Sequence, residues 1–156
     1  MIRGRYVIGL TGSIGMGKSV AAGMLRRAGV PVFDADAEVH RLMGKGGRAV
    51  PLIESAFPGV VIDGKVDRPK LGARVFGDAA ALKRLERILH PMVGQGERAF
   101  LARAARHRRP IVARDVPLLF ETGGDKRCDM TLVVSAPAHI QRHRVLARPG
   151  MTEERL

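Results

Sequence analysis

Tryptophan is absent from this 156-residue chain, and the other aromatics are one Tyr, Tyr6, and five Phe. A base-stacking surface for single-stranded nucleic acid therefore has little to be built from. Cysteine is nearly missing as well. One thiol, Cys128, excludes an internal disulfide and a cysteine-only metal site, and a reduced, cytoplasmic setting is the simplest inference. No apolar run approaches the roughly 20 residues of a membrane-spanning helix, so no membrane partner is expected. Met1-Ile2-Arg3-Gly4-Arg5 passes straight into a strand-like run. No apolar h-region or small-residue cleavage site follows, which argues against a secretory leader. Acidic residues are scarce: 15 against 27 basic ones, a formal charge of +12. That surplus favours polyanionic ligands such as nucleotides. Of the 27, however, 21 are Arg and 6 are Lys, a bias that genomic base composition also produces, and both explanations stand at this level.

What is present has the alternation of a parallel α/β sheet. Tyr6-Val7-Ile8-Gly9-Leu10 is a short apolar run, read as a buried strand. A Gly-rich loop follows. Val20, Met24, Leu25 and Ala28 then recur at helical spacing, with Gly29 as a C-terminal cap. Val30-Pro31-Val32-Phe33 forms a second strand, leading through Asp34-Ala35-Asp36 into a helix to Met43. From about Arg48 to Arg109 the pattern is mostly helical, broken at Pro58-Gly59 and Asp63-Gly64. Asp67 and Asp78 are placed as N-caps, and His90-Pro91 is expected to end a helix over 79–89, because the residue before proline is pushed out of helical space. Strands resume at Ile111–Ala113, where the charged Arg114 predicts a strand end, and at Met130–Val134. Pro137 opens a helix to Ala147, and another is expected to start at Thr152. The domain boundaries follow: residues 1–43 and 110–156 as the core, 44–109 as a helical insertion.

The loop itself is specific. Gly12-Ser13-Ile14-Gly15-Met16-Gly17-Lys18-Ser19 fits G-x-x-x-x-G-K-[ST]. Glycines let successive backbone N–H groups turn inward toward anionic oxygens. The helix starting near Lys18 adds the positive end of its dipole. Lys18 would neutralise the β- and γ-phosphates, and the Ser19 hydroxyl would bind Mg²⁺. The dinucleotide pattern G-x-G-x-x-G is excluded, because Val20 stands where its last glycine belongs. A GTPase is excluded too: its guanine-reading [NT]-K-x-D has only Gly64-Lys65-Val66-Asp67 as a counterpart, off any strand end.

A small-molecule kinase needs a carboxylate near the transferred phosphoryl group. In α/β sheets the ligand crevice lies at the carboxyl ends of the strands. Asp34 and Asp36 follow the second strand at that edge, and Asp115 follows the third, placed to hold a Mg²⁺ water shell. Asp36 also suits a helix N-cap, and one carboxylate can do both jobs. His40, His107, His139 and His143 show no spacing that suggests a metal site.

"GLTGSIGMGKS", "VFDADAEVHRL", "DGKVDRPKLGARVF", "LERILHPMV", "DVPLLFE" and the Q-x-x-R-x-x-x-R at Gln141–Arg148 together resemble the dephospho-coenzyme A kinases, in the same order and over essentially the whole chain. The resemblance implies a P-loop core of three layers with a parallel sheet, a helical acceptor domain and a lid. It implies transfer of the γ-phosphoryl group of ATP to the ribose 3′-hydroxyl of dephospho-CoA by a monomer or weak homo-oligomer. Carried over by position, Gly12, Gly15, Met16, Gly17, Lys18, Ser19 and Val20 bind ATP, with Arg144 and Arg148 approaching the phosphates from the lid. Asp36 is the candidate general base, and Thr11, Asp34 and His90 lie toward the acceptor. A solvated helix face is the competing reading for the two arginines, and a structural turn for His90. Family members usually continue into a last core strand, part of the adenine pocket and a closing helix, so the sheet is expected to lack that strand. Two other readings are a basic P-loop ATPase acting with nucleic acid and an inactive fragment of the kinase.

Overall fold

The computed structural model describes residues 4–116 and 123–153. Two compact units emerge, Met1–Asp34 with Leu101–Leu156, and Ala35–Phe100. These breaks fall earlier in the chain than the boundaries at 43/44 and 109/110 drawn from the sequence.

The first unit is built on a four-stranded sheet of β1 (Tyr6–Thr11), β2 (Val32–Asp34), β5 (Ile111–Asp115) and β6 (Met130–Val133), in the order β2-β5-β1-β6. All three pairings are parallel. A parallel strand covered on both faces needs a continuous apolar run rather than an alternating one. In β1, Val7 and Leu10 are fully buried, as are Val112 and Ala113 of β5. The register brings Leu10 beside Asp115, Asp115 beside Asp34, and Thr11 beside Val133. The carboxyl ends of all four strands thus meet along one edge.

Helix α1 (Lys18–Arg27) follows the loop after β1. It ends as its sequence signals: Val30 N donates to Leu25 O at 2.9 Å and Gly29 N to Arg26 O at 3.0 Å, the paired bonds of a Schellman cap. Helix α6 (Ala138–Leu146) follows β6, with Pro137 as its N-cap rather than inside its first turn. Strand β2 begins at Val32, two residues later than read from the sequence, because Pro31 has no N–H to give the ladder.

The second unit carries α2 (Ala35–Met43), α3 (Val50–Ala56), the short strands β3 (Val61–Ile62) and β4 (Lys65–Val66), α4 (Arg68–Val75) and α5 (Ala79–Arg106). Its core is Leu42, Met43, Val50, Ile53, Phe57, Val60, Val66 and Leu71. Asp67 and Asp78 cap as expected, accepting from Lys70 N and Ala81 N at 3.0 Å each.

The break read at Asp63-Gly64 in the mostly helical segment is a hairpin: β3 and β4 pair antiparallel around these two residues, whose φ angles of 52° and 77° are those of a two-residue hairpin turn. Two expectations are corrected. His90-Pro91 does not stop a helix. Pro91 lies inside the continuous α5, which runs on through a residue with no N–H to give the Arg87 carbonyl. Nor does β5 stop at Ala113. Arg114 continues the strand, 2% exposed, and donates from Nη1 to Gly124 O at 3.3 Å. A polar partner inside the fold lets a charged side chain occupy a buried strand position. The Pro117–Glu121 part of the D-V-P-L-L-F-E string lies outside the described residues, as does most of the helix expected from Thr152; Glu153 is in a 3₁₀ turn.

Candidate phosphate-binding site

The loop between β1 and α1 is wound by its glycines. Gly15 and Gly17 have φ angles of 75° and 96°, in the left-handed region that side chains disfavour. Gly15 is also a point of close approach: a Cβ there would lie 2.7 Å from Val145 Cγ2 and 3.1 Å from Gln141 O. Gly17 caps α1 by its backbone, and Val20 N and Ala21 N both donate to Gly17 O at 3.1 Å. The first turn of α1 thus opens toward the loop, as a phosphate cradle requires.

Helix α6 braces this loop from one side. Gln141 Nε2 donates to Ile14 O at 2.8 Å, Arg144 Nη1 donates to Gly15 O at 3.3 Å, and Ala136 N donates to Met16 Sδ at 2.9 Å. Gln141 was not singled out in the sequence as a loop contact; its place at the head of the Q-x-x-R spacing, one turn before Arg144, was the available signal. A cavity of about 380 Å³ lies between α1 and α6, lined by Met16, Gly17, Val20, Met24, Ile140 and Arg144 among others. Its walls are largely apolar and its rim carries Arg144, a combination that suits a nucleoside attached to phosphates.

Lys18, the first residue of α1, reaches the carboxyl edge of the sheet. Its Nζ lies 2.7 Å from Asp115 Oδ1. The Asp115 side chain is only 9% exposed and that of Lys18 20%. Asp115 is the last residue of β5 rather than a residue beyond its end. A charged pair at this depth is held by direct attraction and loses little to solvent screening. The Lys18 ammonium is thus neutralised by the Asp115 carboxylate.

The other sequence-derived residues are distributed as follows. Thr11 ends β1, Gly12 follows it, and Asp34 ends β2 in register with Asp115, all in the first unit. Ser19 is exposed in the first turn of α1. Arg148 is exposed, two residues past α6, and no side-chain contact from it to the loop occurs among the described residues. Asp36 and His90 belong to the second unit. Asp36 is exposed in the first turn of α2, inside the helix and so not its N-cap. His90 is exposed on α5. No group of three or more His, Cys, Asp or Glu side chains able to hold a metal occurs among the described residues.

A parallel sheet with a glycine-wound loop after its central strand, a lysine at the carboxyl edge and a bracing helix defines a P-loop nucleotide-binding protein. The comparisons narrow the class. The family model for CoaE, dephospho-CoA kinase, matches residues 6–156, and the chain belongs to this family. It is 66% identical to a dephospho-CoA kinase of Paramagnetospirillum magneticum, over 96% of this chain and 71% of that protein. A dephospho-CoA kinase of Mesorhizobium japonicum is 63% identical, over 96% of this chain and 75% of its own. Among solved structures, TT1252 from Thermus thermophilus superposes with a TM-score of 0.82 at 38% identity, covering 97% of this chain and 76% of that one. A dephospho-CoA kinase from Campylobacter jejuni shares the fold with a TM-score of 0.59 at 21% identity.

Proposed function

We propose that this chain phosphorylates the ribose 3′-hydroxyl of dephospho-CoA with ATP, in the cytoplasm, as a monomer or weak homo-oligomer. The observation that carries the reading is the left-handed loop that opens the first turn of α1 next to Lys18, in a chain of this family. The N–H groups of Gly15 to Ser19 take the phosphate oxygens. Lys18 leaves Asp115 for the β- and γ-phosphates. The new bond forms between the 3′-oxygen and γ-phosphorus. The bond from that phosphorus to the β,γ-bridging oxygen breaks, its electron pair leaving with ADP, and Asp36 takes the hydroxyl proton. Arg144 and Arg148 offer planar donors to the charge that spreads over the transferred group. Thr11 at the end of β1, Asp34 at the end of β2 and His90 on α5 are the acceptor-binding residues of this reading.

Mg²⁺ fits the donors present. The Ser19 hydroxyl and the Asp115 carboxylate are the hard oxygen ligands that this ion takes with substrate phosphates, and once Lys18 turns to the nucleotide the carboxylate is released. When bound, the ion would neutralise charge on the phosphates. Residues 44–109 serve as the acceptor domain in this reading.

An ADP-release assay with dephospho-CoA, AMP and other nucleotides tests the assignment. Release with dephospho-CoA is expected; release with AMP alone moves it to a nucleoside monophosphate kinase. Asp36→Asn should lose kcat by roughly 10²–10⁴-fold, the range of a general base, with ATP binding mostly retained. Loss of ATP binding alone would assign Asp36 a structural role instead.

A further inference from the structure

Ser13 to Met16 make the first bend of the loop after β1. Met16 N donates to Ser13 O at 3.2 Å and closes a four-residue turn with Ile14 and Gly15 at its centre. Gly15 has a φ of 75°, and Ile14 is not among the residues with positive φ. A positive φ at the third position alone defines a type II turn. The competing type I turn has the same ends and differs by roughly half a rotation of the central peptide, here Ile14–Gly15. Glycine takes a φ of either sign at little steric cost, so Gly15 admits both.

Helix α6 selects between them. Gln141 Nε2 donates to Ile14 O, the carbonyl of that central peptide, at 2.8 Å. Arg144, three residues on and on the same helix face, donates from Nη1 to the next carbonyl, Gly15 O, at 3.3 Å. A trans peptide is planar, and its C=O and N–H point to opposite edges. With Ile14 O held by α6, the Gly15 N–H points away from that helix. In the rotated peptide Ile14 O would leave Gln141, and the Gly15 N–H would turn toward α6. Only one of the two turns therefore offers the Gly15 N–H to an anion in the loop.

We propose that Gln141 is a positioning residue for the phosphate cradle: it holds the Ile14–Gly15 peptide in the orientation that presents the Gly15 N–H to the phosphates of ATP. The proposal rests on the reading of this loop as the ATP site. Gln141 touches no reacting atom in this role and acts through the backbone of Gly15. Because Arg144 sits on the same helix, displacing α6 would release the peptide and the arginine together.

The test uses the full chain and ATP with Mg²⁺. Calorimetric titration requires no acceptor, so it reads the loop whether or not dephospho-CoA is the substrate. Each variant is measured at a temperature where it is folded. Gln141→Leu removes the donor and keeps the bulk; it should raise the Kd for ATP roughly 3- to 10-fold, the worth of one neutral hydrogen bond. Gln141→Glu sets a carboxylate against the Ile14 carbonyl and should raise it further. The KM for ATP should rise with the Kd, and the KM for dephospho-CoA should not move. The double variant Ile14→Pro, Gln141→Leu supplies the rescue. Proline at the second position with glycine at the third favours the type II turn, so the peptide is held without Gln141 and most of the lost affinity should return. Unchanged ATP affinity in Gln141→Leu overturns the proposal, even where the melting temperature falls, since that marks a brace for stability alone. Gln141→Glu decides in its place if Gln141→Leu does not fold. A loss that proline fails to restore also overturns it, because the effect then lies elsewhere on α6; where the double variant does not fold, the single variants decide. If the unsubstituted protein binds no ATP, the nucleotide site falls and takes the proposal with it. ATP binding without phosphorylation of dephospho-CoA removes the acceptor assignment and leaves the comparison of Kd values to decide on Gln141.

Discussion

In the proposed function Lys18 holds the phosphates, and its Asp115 partner makes its contribution separable. Replacing Lys18 with Met removes the ammonium and leaves the Asp115 carboxylate buried without its ion-pair partner. Removing one partner of a buried ion pair costs about 3–5 kcal/mol. In the double variant Lys18→Met, Asp115→Asn the buried charge is gone as well. Chemical denaturation should therefore show the single variant folded but destabilised, and the double variant recovering most of the loss. Both should have no measurable phosphoryl transfer, because neither has a cation at the β- and γ-phosphates. Wild-type turnover in Lys18→Met would remove the role assigned to it. Gly15 sets a steric limit nearby. An alanine there must adopt a φ of 75° and meet the fully buried Val145 at 2.7 Å. Gly15→Ala should weaken ATP binding at least 10-fold in a nucleotide titration, through a displaced loop rather than a lost charge. At this scale the sequence was informative where a motif fixes spacing, as for Gly12 through Ser19. It was misleading at Arg114, because nothing local announces that a strand charge will find Gly124 O ten residues on.

The elements of the second unit are stabilised by local polar contacts that the hydrophobic pattern does not reveal. The Asp67 carboxylate caps α4 through Lys70 N, and Asp67→Ala should cost about 1 kcal/mol in thermal or chemical unfolding. Glu54, on α3, accepts from Gly59 N at 2.9 Å and Val61 N at 3.0 Å, fastening α3 to the start of the hairpin. The Gly59 N–H, with the Val61 and Val60 N–H groups and Arg74 assisting against some burial, holds its carboxyl below the ordinary value of 4.5. A carboxylate depressed on folding stabilises fully above its unfolded pKa and loses that contribution as pH falls through the folded one. The melting temperature of Glu54→Gln should therefore lie below that of the unsubstituted protein at about pH 6, and the gap should close toward about pH 3. A gap independent of pH would show that Glu54 acts by packing rather than by charge. Element boundaries were legible in the sequence where a cap or turn residue has a stated geometry, as at Asp67, Asp78 and Gly29. The hairpin had its signal, Asp63-Gly64 between Val-Ile and Lys-Val, but strands of two residues are too short to impose a period. Pro91 misled in the opposite direction. The general rule places a helix end there, yet a long helix tolerates one missing donor.

At the scale of the whole molecule, the order β2-β5-β1-β6 could not be read from the chain, because strand neighbours are chosen by contacts between distant segments. Ile111–Asp115 inserts between two strands that precede it by some eighty residues or more. That insertion is what brings Asp115 to Lys18, and it explains why the class of fold was legible when the Lys18–Asp115 pair was not. The charge of +12 belongs to this scale too, and its consequence is kinetic. A strongly cationic surface raises the local concentration of polyanionic substrates and is weakened by salt. Raising the ionic strength from about 0.1 M to about 1 M shortens the screening length from roughly 10 Å to roughly 3 Å. The KM for dephospho-CoA should rise severalfold across that range, with kcat less affected, since the chemistry takes place among groups in contact. Retention on heparin should fall over the same range, because the same charges bind any polyanion. Duplex DNA added to the ADP-release assay should at most compete with substrate. If DNA instead increased turnover, the positive surface would be a coupled nucleic-acid site, and the chain a DNA-dependent ATPase.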